Sequence, residues 1–288
     1  MAEPLKASRT AVQVCQGRAA ADGRLAVGRF ADPTAWVLLR PDEREPVQWV
    51  RDGAVPRPWA QRIDYETVLG TSELMAARTV AIDDAVRACE APQVVILGAG
   101  LDGRAWRLLS GRAVYEVDQP ASQEDKRRRC APLEGEPPVF VPVDFRADRL
   151  DAALAAAGHR PELATVWVWE GVVPYLTPAQ VEATVGVIAG CSAAGSRLVV
   201  NFQTPGRGMA LGRLVARAVA RSTGRASVWR DEPWRSTWTP TEMASLLSRH
   251  GFGAVADIDL VEVAAELGLV VRRELSLRHS PVMIADRG

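Results

Sequence analysis

Residues 93 to 103 read Gln93-Val-Val-Ile-Leu-Gly98-Ala-Gly100-Leu-Asp102-Gly103, and the rest of the fold is read outward from them. Gln93 to Leu97 is a short run of apolar, mostly β-branched residues with no polar alternation. Such a run suits a strand covered on both faces, the habit of parallel sheets flanked by helices. The glycines that follow let the chain turn tightly and let its backbone approach a ligand without a Cβ in the way. A helix is expected from Arg104. Strand, glycine turn and helix in that order are the entry to a doubly wound α/β sheet.

Outward from this turn, the same texture continues. Arg78 to Glu90 is expected as a helix, and Ala113–Val117, Val139–Val143, Thr165–Trp169 and Arg197–Phe202 as further strands. Thr177 to Cys191 reads as a helix with Pro178 in its first turn, where a missing N–H costs nothing. Thr239-Pro-Thr-Glu242 is a capping-box start for a helix reaching His250-Gly251. More β-rich sequence follows, ending in Val282 to Ala285. Residues 1 to 75 read as irregular apart from a helical stretch around Thr10 to Ala21, with Trp36, Trp49 and Trp59 packing that region onto a core. Residues 203 to 238 interrupt the alternation. One domain over 1–288 is expected: a core from 76–202 and 239–288, and a helical cap from 1–75 and 203–238.

The whole-chain balance sets limits on function. The 288 residues carry 35 basic and 35 acidic side chains, so binding of nucleic acid through bulk charge is not expected. The richest apolar run, Ala164 to Leu176, is interrupted by Glu170 and is too short for a membrane span. The N-terminal sequence shows no apolar signal core, which points to a cytoplasmic protein. Cys15, Cys89, Cys130 and Cys191 are isolated and read as reduced thiols, and the scattered histidines give no metal-ligand spacing.

The chemistry is expected at the carboxyl ends of the strands, where such sheets bind ligands. Gly98-Ala-Gly100-Leu-Asp-Gly103 followed by the acidic Asp118 would suit a dinucleotide or S-adenosylmethionine. Asp144 in Val-Pro-Val-Asp144-Phe145 and Glu170 in Trp-Val-Trp-Glu170-Gly171 fall at two further strand ends. A pyrophosphate would be poorly placed along so many acids, which favours the sulfonium cofactor.

The sequence resembles the leucine carboxyl methyltransferase family, in particular its actinobacterial branch of S-adenosylmethionine-dependent methyltransferases. The resemblance rests on Arg9-Thr10-Ala11 with Arg18-Ala19, Phe30-Ala-Asp32-Pro33, Ala77-Arg78-Thr79 with Ile82-Asp83, Gln93 to Asp102, Glu116-Val-Asp118-Gln-Pro120, Val143-Asp144-Phe145 and Glu170-Gly-Val-Val-Pro-Tyr175-Leu176. It extends to about residue 202. Gly103 departs from it, since the family usually carries Thr or Ser there. The resemblance implies a Rossmann-like class I methyltransferase sheet and transfer of a methyl group to oxygen, often of a carboxylate. By the same resemblance, Gly98 and Gly100 approach S-adenosyl-L-methionine, Asp118 takes its ribose, Asp144 with Phe145 its adenine, and Glu170 its amino group. Arg78 would hold a carboxylate of cofactor or substrate, and Tyr175 would face the reacting oxygen.

The acceptor is read more loosely. Arg207, Arg213, Arg217, Arg221, Arg225 and Arg230 populate residues 203 to 230 without an acid. They read as a solvated cap-helix face, or as a lid steering an anionic or aromatic acid with Trp229, Trp234 or Trp238 in its wall. A carboxylate is already ionised at neutral pH, whereas a phenol needs a base. His159 and His250 fall on the amino edge of the sheet. His279 falls on the catalytic edge and is the candidate base, although a hairpin-turn role suits it better. The resulting expectation is an O-methyltransferase acting on a carboxylate or hydroxyl of a small secondary metabolite, such as a polyketide or aromatic acid. Methylation at carbon or nitrogen, a nicotinamide-dependent reductase and a silent cofactor-binding scaffold stay open.

Overall fold

A computed structural model describes residues 8–144, 148–206 and 234–288. Phe145 and the arginine-rich stretch 207–233, with Arg207, Arg213, Arg217, Arg221, Arg225, Arg230 and Trp229, lie outside the described residues. The strands are β1 (Gln93–Leu97), β2 (Ala113–Asp118), β3 (Val139–Pro142), β4 (Thr165–Trp169), β5 (Arg197–Asn201), β6 (Phe252–Ile258) and β7 (Val282–Arg287). They form one sheet in the order β3-β2-β1-β4-β5-β7-β6. β1 runs parallel to both β2 and β4, with Leu97 level with Val117 and Trp169. β7 runs antiparallel to β5 and β6, with Val282 opposite Asn201. The strand order reverses between β1 and β4, so a crevice opens at their carboxyl ends.

All five residues of β1 and of β4 are buried, as an apolar run without alternation requires. Successive side chains serve opposite faces. Val95, Leu97, Trp167 and Trp169 pack with the helices Leu150–Ala156, Pro178–Gly190 and Pro240–Arg249. Val94, Ile96, Val166 and Val168 pack with α4 (Trp59–Arg87) and the helix Leu260–Glu266. The helix starts follow local chemistry. Thr177 and Thr239 close capping boxes with Gln180 and Glu242.

The N-terminal region differs from expectation. The helix expected around Thr10 to Ala21 is α1 (Arg9–Ala21), but where the rest of residues 1 to 75 read as irregular the structure has α2 (Pro33–Leu38), α3 (Pro41–Asp52) and the first half of the 29-residue α4. Their cluster, Cys15, Leu38, Val47, Val50, Tyr65 and Val68 among others, also takes in Leu101 of the glycine turn. Pro46 inside α3 and the Pro/Arg/Trp composition hid that helix from periodicity. Trp36 and Trp49 pack on this cluster, but Trp59 is 60% exposed at the start of α4 and packs no core. All four cysteines are free. Among the described residues, no helix is long and apolar enough to cross a membrane.

Candidate functional site

A cavity of about 500 Å³ opens above the carboxyl ends of β1, β2 and β4, within the usual size range of small-ligand pockets. Its lining includes Arg78, Gly98, Gly100, Asp118, Asp144, Glu170 and Tyr175. Seven residues singled out in the sequence from separate stretches therefore meet at one wall. His279 is not in that lining. Its Nδ1 lies 2.8 Å from the Thr204 hydroxyl, and its carbonyl accepts from the Thr204 N–H at 3.1 Å. Trp234 and Trp238 do not line the cavity either, although Arg235 between them does.

One end of the cavity is made of backbone. Gly98 and Gly100 have φ of +65° and +45°, values an L side chain rarely adopts, and a Cβ on Gly98 would collide with Val172. The Gly100 N–H donates to Asp118 Oδ2 at 2.6 Å and the Gln119 N–H to Oδ1 at 2.6 Å. Burial pushes the Asp118 carboxyl above its ordinary value, while these two amides hold it back. An ionised carboxylate has about four acceptor positions, so Asp118 keeps capacity for hydroxyl donors.

The other end is made of charge. Arg78 Nε donates to Glu170 Oε1 at 2.8 Å, and Arg104 Nη1 to Glu170 Oε2 at 2.8 Å. Arg104 also bonds Asp83 at 2.7 Å and pairs with Asp102. Arg107 pairs with Asp83 at 2.5 Å and lies 3.6 Å from Asp32, which in turn sits 2.8 Å from Arg18. Arg18, Arg78, Arg104 and Arg107 thus face Asp32, Asp83, Asp102 and Glu170, charge for charge. Burial alone would raise the Glu170 carboxyl, but Arg104 and Arg78 outweigh it and pull it down to about 2. Burial likewise opposes ionisation of Asp102, and Arg104 with Arg18 drives it well below the usual carboxylate range. Glu170 and Arg78, expected separately as ligand-binding groups, are each other's partners. Asn201 accepts from Arg78 Nη1 at 3.4 Å while its amide nitrogen bonds Ser280 and Pro281, tying β5 and the entry to β7 to the same arginine.

Sequence reading quoted Arg18, Asp32, Asp83 and Asp102 within motifs but gave them no role, and it missed Arg104, Arg107 and Asn201. No local pattern marks them, because their meaning lies in burial, where arginines and acids are seldom tolerated unless paired. Gly103 also finds its explanation. A Cβ there would collide with the Thr34 hydroxyl, which donates to Asp32 Oδ1 at 2.5 Å. The position a Thr or Ser side chain would occupy is filled from α2.

The donor set suits a nucleoside carrying a charged amino-acid tail. Acceptor-only carboxylates sit beside a glycine turn that brings the backbone close, and paired cations and anions stand at the far end. A nicotinamide dinucleotide would instead meet the acids with its pyrophosphate.

The comparisons with known proteins agree. A family model described as leucine carboxyl methyltransferase matches residues 11–189. A protein of Mycobacterium sp. (strain JLS), named "Putative S-adenosyl-L-methionine-dependent methyltransferase", is 35% identical over 227 residues, which span 77% of this chain and 72% of that protein. Among solved structures, a DUF574 family protein from Streptomyces avermitilis MA-4680 superposes with a TM-score of 0.57 at 14% identity, over 98% of each chain. A "putative methyltransferase" from Thermobifida fusca YX gives 0.53 at 16% identity, over 98% of this chain and 96% of its own. At such identities the structures speak for the shared fold.

Proposed function

Because this chain belongs to the leucine carboxyl methyltransferase family and is an S-adenosylmethionine-dependent methyltransferase, we propose that it methylates the carboxylate of a small acid in the cytoplasm. The observation that carries the carboxylate reading is the chemistry of the cavity wall. Among the described residues, the lining contains no histidine, lysine or cysteine, and Glu170 and Asp102, held low by arginines, are poor proton acceptors. A phenol or an alcohol would need a base, whereas a carboxylate arrives ionised.

When bound, S-adenosylmethionine supplies a methyl group already activated by its sulfonium. The chain's own residues then have to hold and align. In this reading Asp118 takes the ribose hydroxyls, Asp144 and Phe145 the adenine, and Gly98 and Gly100 let the backbone come close. The Arg18, Arg78 and Glu170 end receives the charged amino-acid tail, and Tyr175 faces the acceptor oxygen. The neutral net charge supports a small-molecule acceptor over a nucleic acid, and a secondary-metabolite acid such as a polyketide or aromatic acid is the class proposed.

The test is the fate of the label. Protein incubated with methyl-tritiated S-adenosylmethionine and a panel of small aromatic and polyketide acids should give a product that releases volatile methanol in mild alkali, the mark of a methyl ester. A product whose label survives alkali would move the reaction to a hydroxyl, carbon or nitrogen.

A further inference from the structure

The cavity wall carries three arginines, Arg18, Arg78 and Arg235, and they are not equivalent. Arg18 is 2.8 Å from Asp32 and Arg78 is 2.8 Å from Glu170. Arg235 is the cation of this wall whose guanidinium has no acidic partner among the described residues, and it is exposed.

Its place is nonetheless fixed by its backbone. The Arg235 N–H donates to the Pro174 carbonyl at 2.6 Å, and the Ser236 N–H to the same oxygen at 3.3 Å. The Ser236 hydroxyl donates to the Val173 carbonyl at 3.1 Å and receives the Trp238 indole N–H at 3.2 Å. The Trp238 N–H in turn reaches the Gln203 carbonyl at 2.8 Å. Residues 235–238 are therefore stitched to the 3₁₀ turn Val173–Tyr175. The guanidinium thus hangs from the very residue whose N–H docks on Pro174, the neighbour of Tyr175.

Gln180 adds a second donor. Its Oε1 accepts from the Thr177 N–H at 2.9 Å and from the Thr177 hydroxyl at 3.1 Å, which fixes the amide with its nitrogen end outward. That Nε2 has no acceptor among the described residues, and Gln180 lines the cavity together with Tyr175 and Leu176. A capping glutamine whose oxygen is committed to its helix presents only donors to what lies beyond.

We propose that Arg235, assisted by Gln180, is the acceptor-recognition element of this enzyme and takes the carboxylate of an acidic substrate. This rests on the carboxylate reading above and names the residues that select for it. A guanidinium fork and an amide donor match the lone pairs of a carboxylate, and neither matches a neutral amide or ester equally well. The transfer then weakens its own hold. As the carboxylate oxygen gains the methyl carbon and the sulfonium C–S bond breaks, the negative and positive charges vanish together. No proton is released, and the neutral ester loses its ionic attraction to Arg235.

The experiment uses protein saturated with S-adenosylhomocysteine and titrated calorimetrically with benzoate, salicylate and phenylacetate, each beside its primary amide. Wild type should bind at least one acid about 10-fold or more tightly than its amide, as a charge-assisted contact implies. Arg235→Gln should bring acid and amide within about 3-fold of each other with unchanged affinity for S-adenosylhomocysteine, and Arg235→Lys should restore part of the gap. An undiminished preference in Arg235→Gln overturns the proposal, and so does wild type that prefers none of the acids. The outcome separates this inference from the carboxylate reading. A methyl ether formed on an acid whose carboxylate stays free, with an Arg235-dependent preference, keeps the recognition role and removes carboxyl methylation. A methyl ester formed with a preference indifferent to Arg235 does the opposite.

Discussion

The two ends of the cavity are built by opposite means. At the glycine end, residues 98–102 and Asp118 lie close in sequence, and backbone amides do the holding, with Gly100 and Gln119 donating to one carboxylate. At the arginine end the partners come from α1, the start of α2, α4, the glycine turn, α5 (Arg104–Arg107) and the end of β4, and side chains of opposite charge hold one another. The electrostatic result also differs in sign. Burial wins at Asp118, whose carboxyl is raised, whereas arginines win at Glu170, whose carboxyl falls to about 2. A strand end can thus be tuned either way by whether amides or guanidinium groups reach it. The first end is expected to tolerate substitution as a loss of binding, the second as a loss of structure.

The strongest way to break that contrast is Arg104→Met. Arg104 is almost fully buried and pairs with Asp83, Asp102 and Glu170. Removing it leaves buried carboxylates short of a partner, a change that costs about 3–5 kcal/mol. Urea unfolding should show a loss of that size, and a loss below about 1 kcal/mol would mean the arginine end is not structural. The pH sign follows from Glu170. Its folded carboxyl is depressed, so its contribution is present above the ordinary carboxylate value and disappears as the pH falls toward about 2. Without Arg104 that depression shrinks, and acid unfolding should begin at higher pH than in wild type.

Arg78→Lys probes the same end from its cavity side. The charge stays, but the planar fork that reaches Glu170 and Asn201 together is lost. Turnover should fall by about 10²-fold through misalignment in a protein that still folds cooperatively. Near wild-type turnover would make Arg78 a scaffold residue only. Asp118→Ala addresses the glycine end. Calorimetry should show S-adenosylhomocysteine binding weakened by about 1–3 kcal/mol, the range for unpaired polar partners, with unfolding free energy barely changed. A large stability loss in this variant would erase the distinction between the ends.

The same contrast governs what could be read from the sequence. Gln93 to Asp102 and Asp118 carry their meaning locally, because a β-branched run, positive-φ glycines and an acid at the next strand end are each short-range signals. β4 was legible for the same reason, as were the Thr177 and Thr239 helix starts. The arginine end was visible only as unexplained motif residues, since nothing in Arg18, Asp32 or Asp83 says which partner the fold will bring. Of residues 59–87 only the part from Arg78 onward is legible, because the preceding turns carry no local start signal: Pro58 at the N-cap makes no side-chain hydrogen bond and the first turn has no acid. Arg235 carries no sequence signal of its own between Trp234 and Trp238. Its significance depends on the Pro174 carbonyl it bonds, a contact 61 positions away that no local pattern announces.

The smallest expected effect concerns His279, which tests whether a third chemistry has to be added to the two ends. His279 follows the helix Glu274–Arg278 and precedes β7, so it stands on the carboxyl edge as a base would have to. Its ring, however, is engaged with the Thr204 hydroxyl at 2.8 Å and takes no part in the described lining of the cavity. His279 is the C-cap of that helix rather than the hairpin-turn residue expected from the sequence, and fastened in this way it ties the entry to β7 to Thr204; on the carboxylate proposal it would have no proton to take. His279→Ala should therefore keep most of its activity. The wild-type rate should stay flat from about pH 6 to 8, because no group near neutrality must lose a proton before transfer. A rate that climbs through that interval in wild type, and collapses in His279→Ala while S-adenosylhomocysteine still binds, would assign the proton to His279. The acceptor would then be a hydroxyl, and the cavity would need a third, basic element beside its glycine and arginine ends.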